Sequence, residues 1–225
     1  KGRPPVSLDI ILQALLFRLR EGCCWRALSI FAPHTTIYTR WKQWCKEGLW
    51  ERILESLSTS AQGQLWSIDS TSSKVHKHAC GGGDSPENQA IGKSRGGANT
   101  KIHALVDTYG RAIRLILTPG NRHDIVIAPD LVTDCTQRTI LADKAYDSDD
   151  FRSLLEDLGL TACIPPKANR TDPASYHKGH YKRRHMVENF FQRIKEKRPI
   201  ATRFEKLASR FLALVTLASI CDWLC

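Results

Sequence analysis

The segment Tyr181–Lys195 reads YKRRHMVENFFQRIK and has the periodicity of an amphipathic helix. At about 100° per residue, four of its polar residues fall within roughly 60° of one another. The opposite face is apolar and suited to packing. In isolation the polar face is also explained as a solvated surface with one i,i+4 ion pair between Arg184 and Glu188. The polar face consists of Tyr181, Arg184, Glu188 and Lys195, and the apolar face of Met186, Val187, Phe190 and Ile194.

The composition is that of a globular protein with an excess of positive charge. Of the 225 residues, 42% are hydrophobic and 25% are charged, which suits one sizeable core plus a small appendage. Lys and Arg number 33 against 23 Asp and Glu, for a net charge of +10. This excess favours a polyanionic partner, nucleic acid ahead of a membrane. The longest apolar segment, Phe211–Ile220, falls short of the roughly 20 residues that span a bilayer, so we expect no membrane association.

The cysteine pattern indicates a reducing compartment. The eight cysteines include no CxxC pair and are irregularly spaced, which is typical of free thiols in the cytosol. His76, His78 and Cys80 alternate, as in some metal sites. They have no second cluster to complete a tetrahedron, so we do not predict zinc here.

The first 60 residues are predicted to form a helical domain. Apolar periodicity indicates helices over Val6–Arg20 and Leu49–Leu57. Between them, Thr35 or Thr36 is a plausible N-cap for a helix that carries tryptophans inward and ends at Gly48. Arg40 and Lys42 on its outer side are candidate DNA contacts, so residues 1–60 resemble a helix-turn-helix module. The alternative is a helical cap that packs on the rest of the chain, with its tryptophans serving only the core.

Residues 61–225 are predicted to form a second, mixed α/β domain. Strand patterns come first, and helices then alternate with short strands, which indicates a mixed sheet flanked by helices. This order is that of a ribonuclease H-like core, with the first strand at the centre. The glycine-rich stretch Cys80–Thr100 is expected to be a mobile loop. The predicted strands are Leu65–Val75, Lys101–Asp107, Arg111–Thr118, Arg138–Ala142 and Leu160–Ile164, and the helices Asp124–Thr133, Ser148–Leu158, Tyr181–Lys195 and Ala201–Leu224.

Three carboxylates are predicted to meet in such a core. Asp69 lies in the first strand, Asp143 ends the short strand beside it, and Glu188 lies on the late helix. Oxygen ligands of this kind suit Mg²⁺, and a pair of ions can activate a nucleophile and stabilise a leaving oxygen. Taken singly, Asp69 is also explained as a turn residue and Asp143 as a partner of Lys144. Taken together, on three elements in the required order, the acids favour a metal site.

These motifs resemble the DDE transposases of the insertion-sequence-four and -five groups. The spacing of Tyr181, Arg184, Glu188 and Lys195 is Y-x2-R-x3-E-x6-K, the signature of these groups. Asp143-Lys144-Ala145-Tyr146 is similar to their D-x-[GA]-[YF] block, and Ile68-Asp69-Ser70-Thr71 to the block of the first aspartate. The resemblance covers nearly the whole chain. Further segments similar to the insertion-sequence-five group are WRAL, YTRWKQW, GGANTKIHALVD, IPPKANR and IATRFEKLA.

The resemblance implies a transposase that cuts and joins DNA. Asp69, Asp143 and Glu188 would be catalytic and would hold two Mg²⁺ ions, with Mn²⁺ as a substitute. The protein would cleave at the terminal inverted repeats of an insertion sequence and transfer the 3′-hydroxyl into target DNA, as a homodimer on double-stranded DNA. The implied setting is the cytoplasm, in association with the nucleoid. The expected phosphate contacts are Tyr181, Arg184, Lys195, Lys144 and Lys101, with Arg40 and Lys42 in the helical domain.

Two other functions are compatible with these features. A DNA-binding protein descended from a transposase would keep the fold without catalysis, but the three intact acids count against it. A ribonuclease H-like nuclease would cut without joining, but the tryptophan-rich helical region and the signature count against that. Asn121, His123 and Asp124 follow the third strand and are placed either at the rim of the site or in a simple turn.

Overall fold

The computed structural model describes residues 4–81 and 88–224, which form one mixed sheet with helices on both faces. Short 3-10 turns cover Trp25–Ile30, Lys77–Ala79, Asp124–Val126, Lys144–Tyr146 and Lys182–Arg184. The helices are α1 (Leu8–Glu21), α2 (His34–Lys46), α3 (Leu49–Ser58), α4 (Ala128–Val132), α5 (Asp149–Asp157), α6 (Lys178–Tyr181), α7 (His185–Lys195), α8 (Arg198–Ala201) and α9 (Ala208–Leu224). The strands are β1 (Leu65–Val75), β2 (Gly92–Ser94), β3 (Gly97–Val106), β4 (Ala112–Pro119), β5 (Thr139–Leu141), β6 (Thr161–Cys163) and β7 (Thr202–Arg203).

The sheet is organised around β1, as the sequence predicts. Its strand order is β2-β3-β1-β5-β6, with β4 paired to β3 and β7 to β1. β1 runs antiparallel to β3 and parallel to β5, so the sheet is mixed. The predicted mixed α/β class is therefore confirmed.

The helical region at the N-terminus packs on the sheet domain rather than standing apart from it. Ile37 and Trp41 of α2 are buried, as predicted, in a core that also contains residues of α7, α9 and β3. Helix α3 packs against α9. A second core lies on the other face of the sheet, under α4 and α5. Residues 59–64 connect the helical region to β1.

Helix boundaries follow local capping chemistry. Helix α1 begins after Ser7, whose hydroxyl accepts the Ile10 N–H at 3.5 Å, and it ends at Gly22 with φ of 66°. The predicted threonine cap of α2 is wrong. The helix begins at His34, because the Pro33 carbonyl accepts the N–H groups of residues 36 and 37.

Two of the predicted elements are corrected by the structure. The described part of the expected loop contains β2 and the start of β3, which pair through Gly92 and Asn99, while residues 82–87 lie outside the described ranges. The expected helix from Ala201 is interrupted by β7. There the buried Arg203 guanidinium donates to the carbonyls of Gln89 at 2.8 Å and Lys206 at 3.0 Å, which holds this stretch out of the helix.

The segment Tyr181–Lys195 is helical throughout but not one α-helix. Helix α6 ends at Tyr181, a 3-10 turn covers Lys182–Arg184, and α7 continues to Lys195. The apolar face is buried through Val187, Phe190 and Ile194. Among the described residues, no helix is sufficiently long and apolar to cross a membrane.

Candidate active site

Asp69 of β1 and Asp143, which follows β5, lie side by side. Ser67 of β1 pairs with Leu141 of the parallel strand β5, and each acid lies two residues beyond its member of that pair. The Asp143 charge contributes to raising the pKa of Asp69, which is consistent with their proximity. Strand pairing therefore brings together two acids that are distant in sequence.

The Asp143 side chain is held by the turn that follows it. Its Oδ1 accepts the Ala145 N–H at 2.8 Å and so caps the 3-10 turn Lys144–Tyr146. Tyr146 closes the turn with its ring buried in the second core. The carboxylate thus has a fixed orientation where β5 ends.

Glu188 of α7 is linked to Asp69 through Arg184. The Arg184 guanidinium donates from Nη1 to Asp69 Oδ2 at 2.7 Å and from Nη2 to Glu188 Oε1. The side chain of Arg184 is 18% exposed, against 47% for Glu188. One arginine therefore joins an acid of the central strand to an acid of the late helix.

The environment of Asp69 destabilises its charge despite this ion pair. Burial raises the pKa of Asp69, and the Asp143 charge adds to the rise. The Ser70 N–H, at 2.7 Å from Oδ1, and the Arg184 guanidinium oppose it without cancelling it. A carboxylate in this state favours an additional cation.

The donor set suits a hard divalent cation, because it consists of carboxylate oxygens. Asp69 and Asp143 are neighbours in space, whereas the Glu188 carboxylate accepts a hydrogen bond from Arg184. Within residues 4–81 and 88–224, no three His, Cys, Asp or Glu side chains are grouped closely enough to hold a metal ion. The residues fit such an ion in chemistry, while Glu188 is bound by Arg184.

Lys195 lies near the acids but contacts a neutral group. Its Nζ is 2.8 Å from Thr71 Oγ1, on the same strand as Asp69. Burial lowers the pKa of Lys195. Tyr181 lies beside Arg184, whose guanidinium carbon is 6.0 Å from the centre of the tyrosine ring. All four residues of the predicted polar face therefore lie together.

The other expected phosphate contacts are scattered. Lys144 is exposed beside Asp143. Lys42 is exposed on α2 with its ammonium 5.3 Å from the centre of the Tyr38 ring, and Arg40 donates to Gln43 at 3.2 Å. Lys101 has partners within the protein, because its ammonium donates to Asp124 at 2.7 Å and to the Arg122 carbonyl at 2.8 Å.

Two features of the site were not found from the sequence. Thr71 follows Asp69 by two residues and so shares its face of the strand, a period-2 signal that identifies it as a neighbour. Asp147 ends the DKAYD segment and accepts from Arg152 and Arg170, each at 2.8 Å. Its carboxylate also accepts the Lys167 N–H at 2.8 Å, which ties the segment after β6 to the turn that carries Asp143.

Comparison with known proteins gives the family. The family model described as "Transposase DDE domain" matches residues 61–221, more than half of the chain. The chain belongs to the DDE transposase family. A second model, "Putative transposase of IS4/5 family", matches residues 1–54, so this transposase is of the type that the Y-x2-R-x3-E-x6-K signature indicates.

One of the two relatives reported for this transposase is itself named a transposase. A "Putative transposase for insertion sequence element IS6501" from Brucella ovis is 36% identical over 127 residues, 56% of this chain and 98% of the relative. An uncharacterised protein, y4sN, from Sinorhizobium fredii is 30% identical over 82 residues, 36% of this chain and 66% of the relative.

A solved structure confirms the ribonuclease H-like fold. The piggyBac transposase, determined as a synaptic complex with hairpin DNA, matches 91% of this chain with a TM-score of 0.51 at 12% identity. The chain spans 52% of that protein's length. At this identity the likeness concerns the fold alone.

Proposed function

We propose that this transposase cleaves DNA at the terminal repeats of an insertion sequence and joins the exposed 3′-hydroxyl to target DNA. One observation carries the proposal: Asp143 lies on the strand beside that of Asp69, and Arg184 links Asp69 to Glu188 of the late helix. Two cationic side chains, Arg184 and Lys195, lie beside them. Family membership supports the same reaction class.

Asp69, Asp143 and Glu188 are the proposed holders of two Mg²⁺ ions, which Mn²⁺ can replace. When bound, such ions supply the positive charge that activates an oxygen nucleophile and stabilises the leaving oxygen in phosphoryl transfer. Asp143 contributes a carboxylate held in place by the Ala145 N–H, and Asp69 contributes one whose pKa is raised by burial and by the Asp143 charge.

The basic side chains of the site position the DNA backbone. Arg184 and Lys195 are proposed to contact phosphates beside the cleaved bond, since a guanidinium can bind a phosphate in a bidentate manner. Tyr181 lies beside Arg184 and Lys144 beside Asp143, so both are proposed as further phosphate contacts. The chain contributes positioning and charge, and an in-line transfer of this kind needs no protein nucleophile.

The helical region is proposed to bind DNA through the outer face of α2. Lys42 is exposed there and Arg40 is half-buried, while the tryptophans of α2 face the core. Two copies of the chain are proposed to act together on double-stranded DNA, one at each terminal repeat, in the cytoplasm on the nucleoid.

The test is a cleavage and strand-transfer assay with purified protein and a labelled duplex that carries the terminal repeat. With Mg²⁺ we expect nicking at the end of the repeat, followed by joined products, and no reaction in EDTA or on a scrambled duplex. DNA binding without cutting, in Mg²⁺ and in Mn²⁺ alike, is the result that contradicts the proposal.

A matched pair of variants on one helix tests the assignment of the third acid. Glu188→Gln should abolish cutting, whereas Glu196→Gln removes the same charge from an exposed position at the end of α7 and should leave cutting intact. Both variants should still bind DNA. Cutting by Glu188→Gln at the wild-type rate would show that the site is assigned wrongly.

A further inference from the structure

We infer that Arg184 is an internal counter-cation of the acidic site, which must leave its carboxylates before metal ions bind. A DNA phosphate is the group that draws it away. Metal binding and DNA binding are thereby coupled through one side chain. This inference rests on the proposed function and concerns the regulation of that same site.

The contacts of Arg184 explain why the three acids do not converge. Its two terminal nitrogens bind two different acids, Asp69 on β1 and Glu188 on α7. Asp69 and Arg184 are 115 residues apart in sequence, so this bridge exists only in the folded site. While the guanidinium lies between these carboxylates, it occupies one oxygen of Asp69 and one oxygen of Glu188.

The electrostatics make the bridge a competitor of a metal ion. Burial alone would lower the pKa of Arg184, but the charges of Asp69 and Glu188 outweigh it and raise the pKa above the ordinary arginine value. The group therefore stays charged at any physiological pH. A cationic guanidinium and a divalent cation repel each other, so they compete for the same carboxylates.

Arg184 and Lys195 differ in the groups that they bind and would release. The Arg184 side chain is 18% exposed and lies on the 3-10 turn between α6 and α7. Rotation of its side chain alone can direct it toward a phosphate. Lys195, in contrast, donates to the neutral Thr71 hydroxyl, and its departure would free no carboxylate. The coupling is therefore specific to Arg184.

The exchange has a measurable thermodynamic consequence. If a phosphate removes Arg184 from the acids, DNA must raise the affinity for metal ions, and metal ions must raise the affinity for DNA by the same factor. Coupling between two sites in proteins is typically about 5- to 150-fold. Without DNA, metal affinity should be held down by the presence of the guanidinium.

The experiment is a Mn²⁺ titration of the full chain, followed by electron paramagnetic resonance, with and without a short random-sequence duplex. Arg184→Gln removes the bridge. The control Arg183→Gln removes the same charge from an exposed neighbour, which forms no ion pair within the described ranges.

Without DNA, Arg184→Gln should bind Mn²⁺ at least about fivefold more tightly than the wild type or Arg183→Gln. The duplex should tighten Mn²⁺ binding in the wild type and in Arg183→Gln but not in Arg184→Gln.

Unchanged or weaker Mn²⁺ binding by Arg184→Gln would overturn the inference and leave Arg184 as a purely structural bridge. If Arg184→Gln does not fold, the same Mn²⁺ titration of Arg184→Lys tests the inference. Its ammonium lacks the fork that spans two carboxylates, so Mn²⁺ binding should tighten by a smaller factor, and equality with the wild type overturns the inference.

The cleavage assay separates this result from the proposed function. Coupling without any cutting by the wild type removes the function and leaves the coupling. Cutting by the wild type without coupling between Mn²⁺ and DNA binding supports the proposed function and overturns the inference about Arg184.

Discussion

Asp147 and Asp69 are both bound by arginine, yet their environments have opposite effects on their charge. The Asp147 carboxylate is fully buried and accepts from Arg152, from Arg170 and from the Lys167 N–H. Burial alone would raise its pKa, but these hydrogen bonds outweigh burial and lower it. The number of donors is what makes Asp147 a stable structural anion.

Asp69 receives fewer donors and keeps an unfavourable charge. Its side chain is 21% exposed, and its donors are Arg184 and the N–H of the next residue. Burial dominates, and the pKa is raised. Perturbation of this kind is typical of functional sites. An arginine partner alone therefore does not determine the direction in which the pKa of an aspartate shifts.

The largest effect that this comparison predicts is on stability, from Asp147→Asn. The change leaves two arginines without their shared anion, and the loss of one partner of a buried pair typically costs about 3–5 kcal/mol. Urea denaturation should show this loss in the free energy of unfolding. Asp150→Asn, at an exposed position in the first turn of α5, should cost no more than about 1 kcal/mol. Equal losses in the two variants would show that Asp147 does not anchor the fold.

Much of the site could be predicted because its residues form local patterns. Glu188, Arg184 and Lys195 share a helix face, and one periodicity identifies them together. Asp69 and Asp143 were predicted because each lies in or just after a predicted strand, in the strand order of a ribonuclease H-like core. The partners within the site could not be predicted, since the bridge from Arg184 to Asp69 depends on tertiary packing across 115 residues.

The errors in the predicted fold have the same origin. The sequence near Arg203 has helical periodicity, but its buried guanidinium binds the carbonyl of Gln89, 114 residues away in sequence. That long-range contact outweighs local propensity and produces β7. The ion pair of Lys101 with Asp124 likewise joins residues that are 23 positions apart, so local patterns do not predict it.

The second prediction concerns His103, a buried base whose pKa is also set by burial against the charges of its neighbours. Burial dominates and lowers the pKa of His103 to about 4; the Asp124 charge opposes this, whereas Lys101 and Arg122 reinforce it. The unfolded chain binds a proton near the ordinary value of about 6.5. Stability should therefore be constant above that pH and fall as the pH decreases toward 4.

The measurement is urea denaturation between pH 7.5 and 5. One buried histidine should account for a loss of about 2 kcal/mol over this range. The hydrogen bond from the ring to Thr118, at 2.8 Å, is lost in His103→Leu, so that variant should be less stable at pH 7.5 but should show a flatter pH profile. An unchanged slope in His103→Leu would assign the pH dependence to other groups.

The smallest predicted effect is the change in stability from Asp69→Asn, and it gives the sharpest form of the comparison. The uncharged amide avoids the burial cost that raises the pKa of Asp69, while the loss of its ion pair with Arg184 acts in the opposite direction. Because Glu188 still binds Arg184, the guanidinium is not left unpaired. The two contributions should nearly cancel, with a net change within about 1 kcal/mol. The free energies of unfolding of Asp69→Asn and Asp147→Asn, measured by urea denaturation in EDTA, give this difference. In the cleavage assay, Asp69→Asn should not cut DNA. A loss as large as that of Asp147→Asn would mean that Asp69 is primarily a structural anion, and that the chemistry of the site depends on other groups.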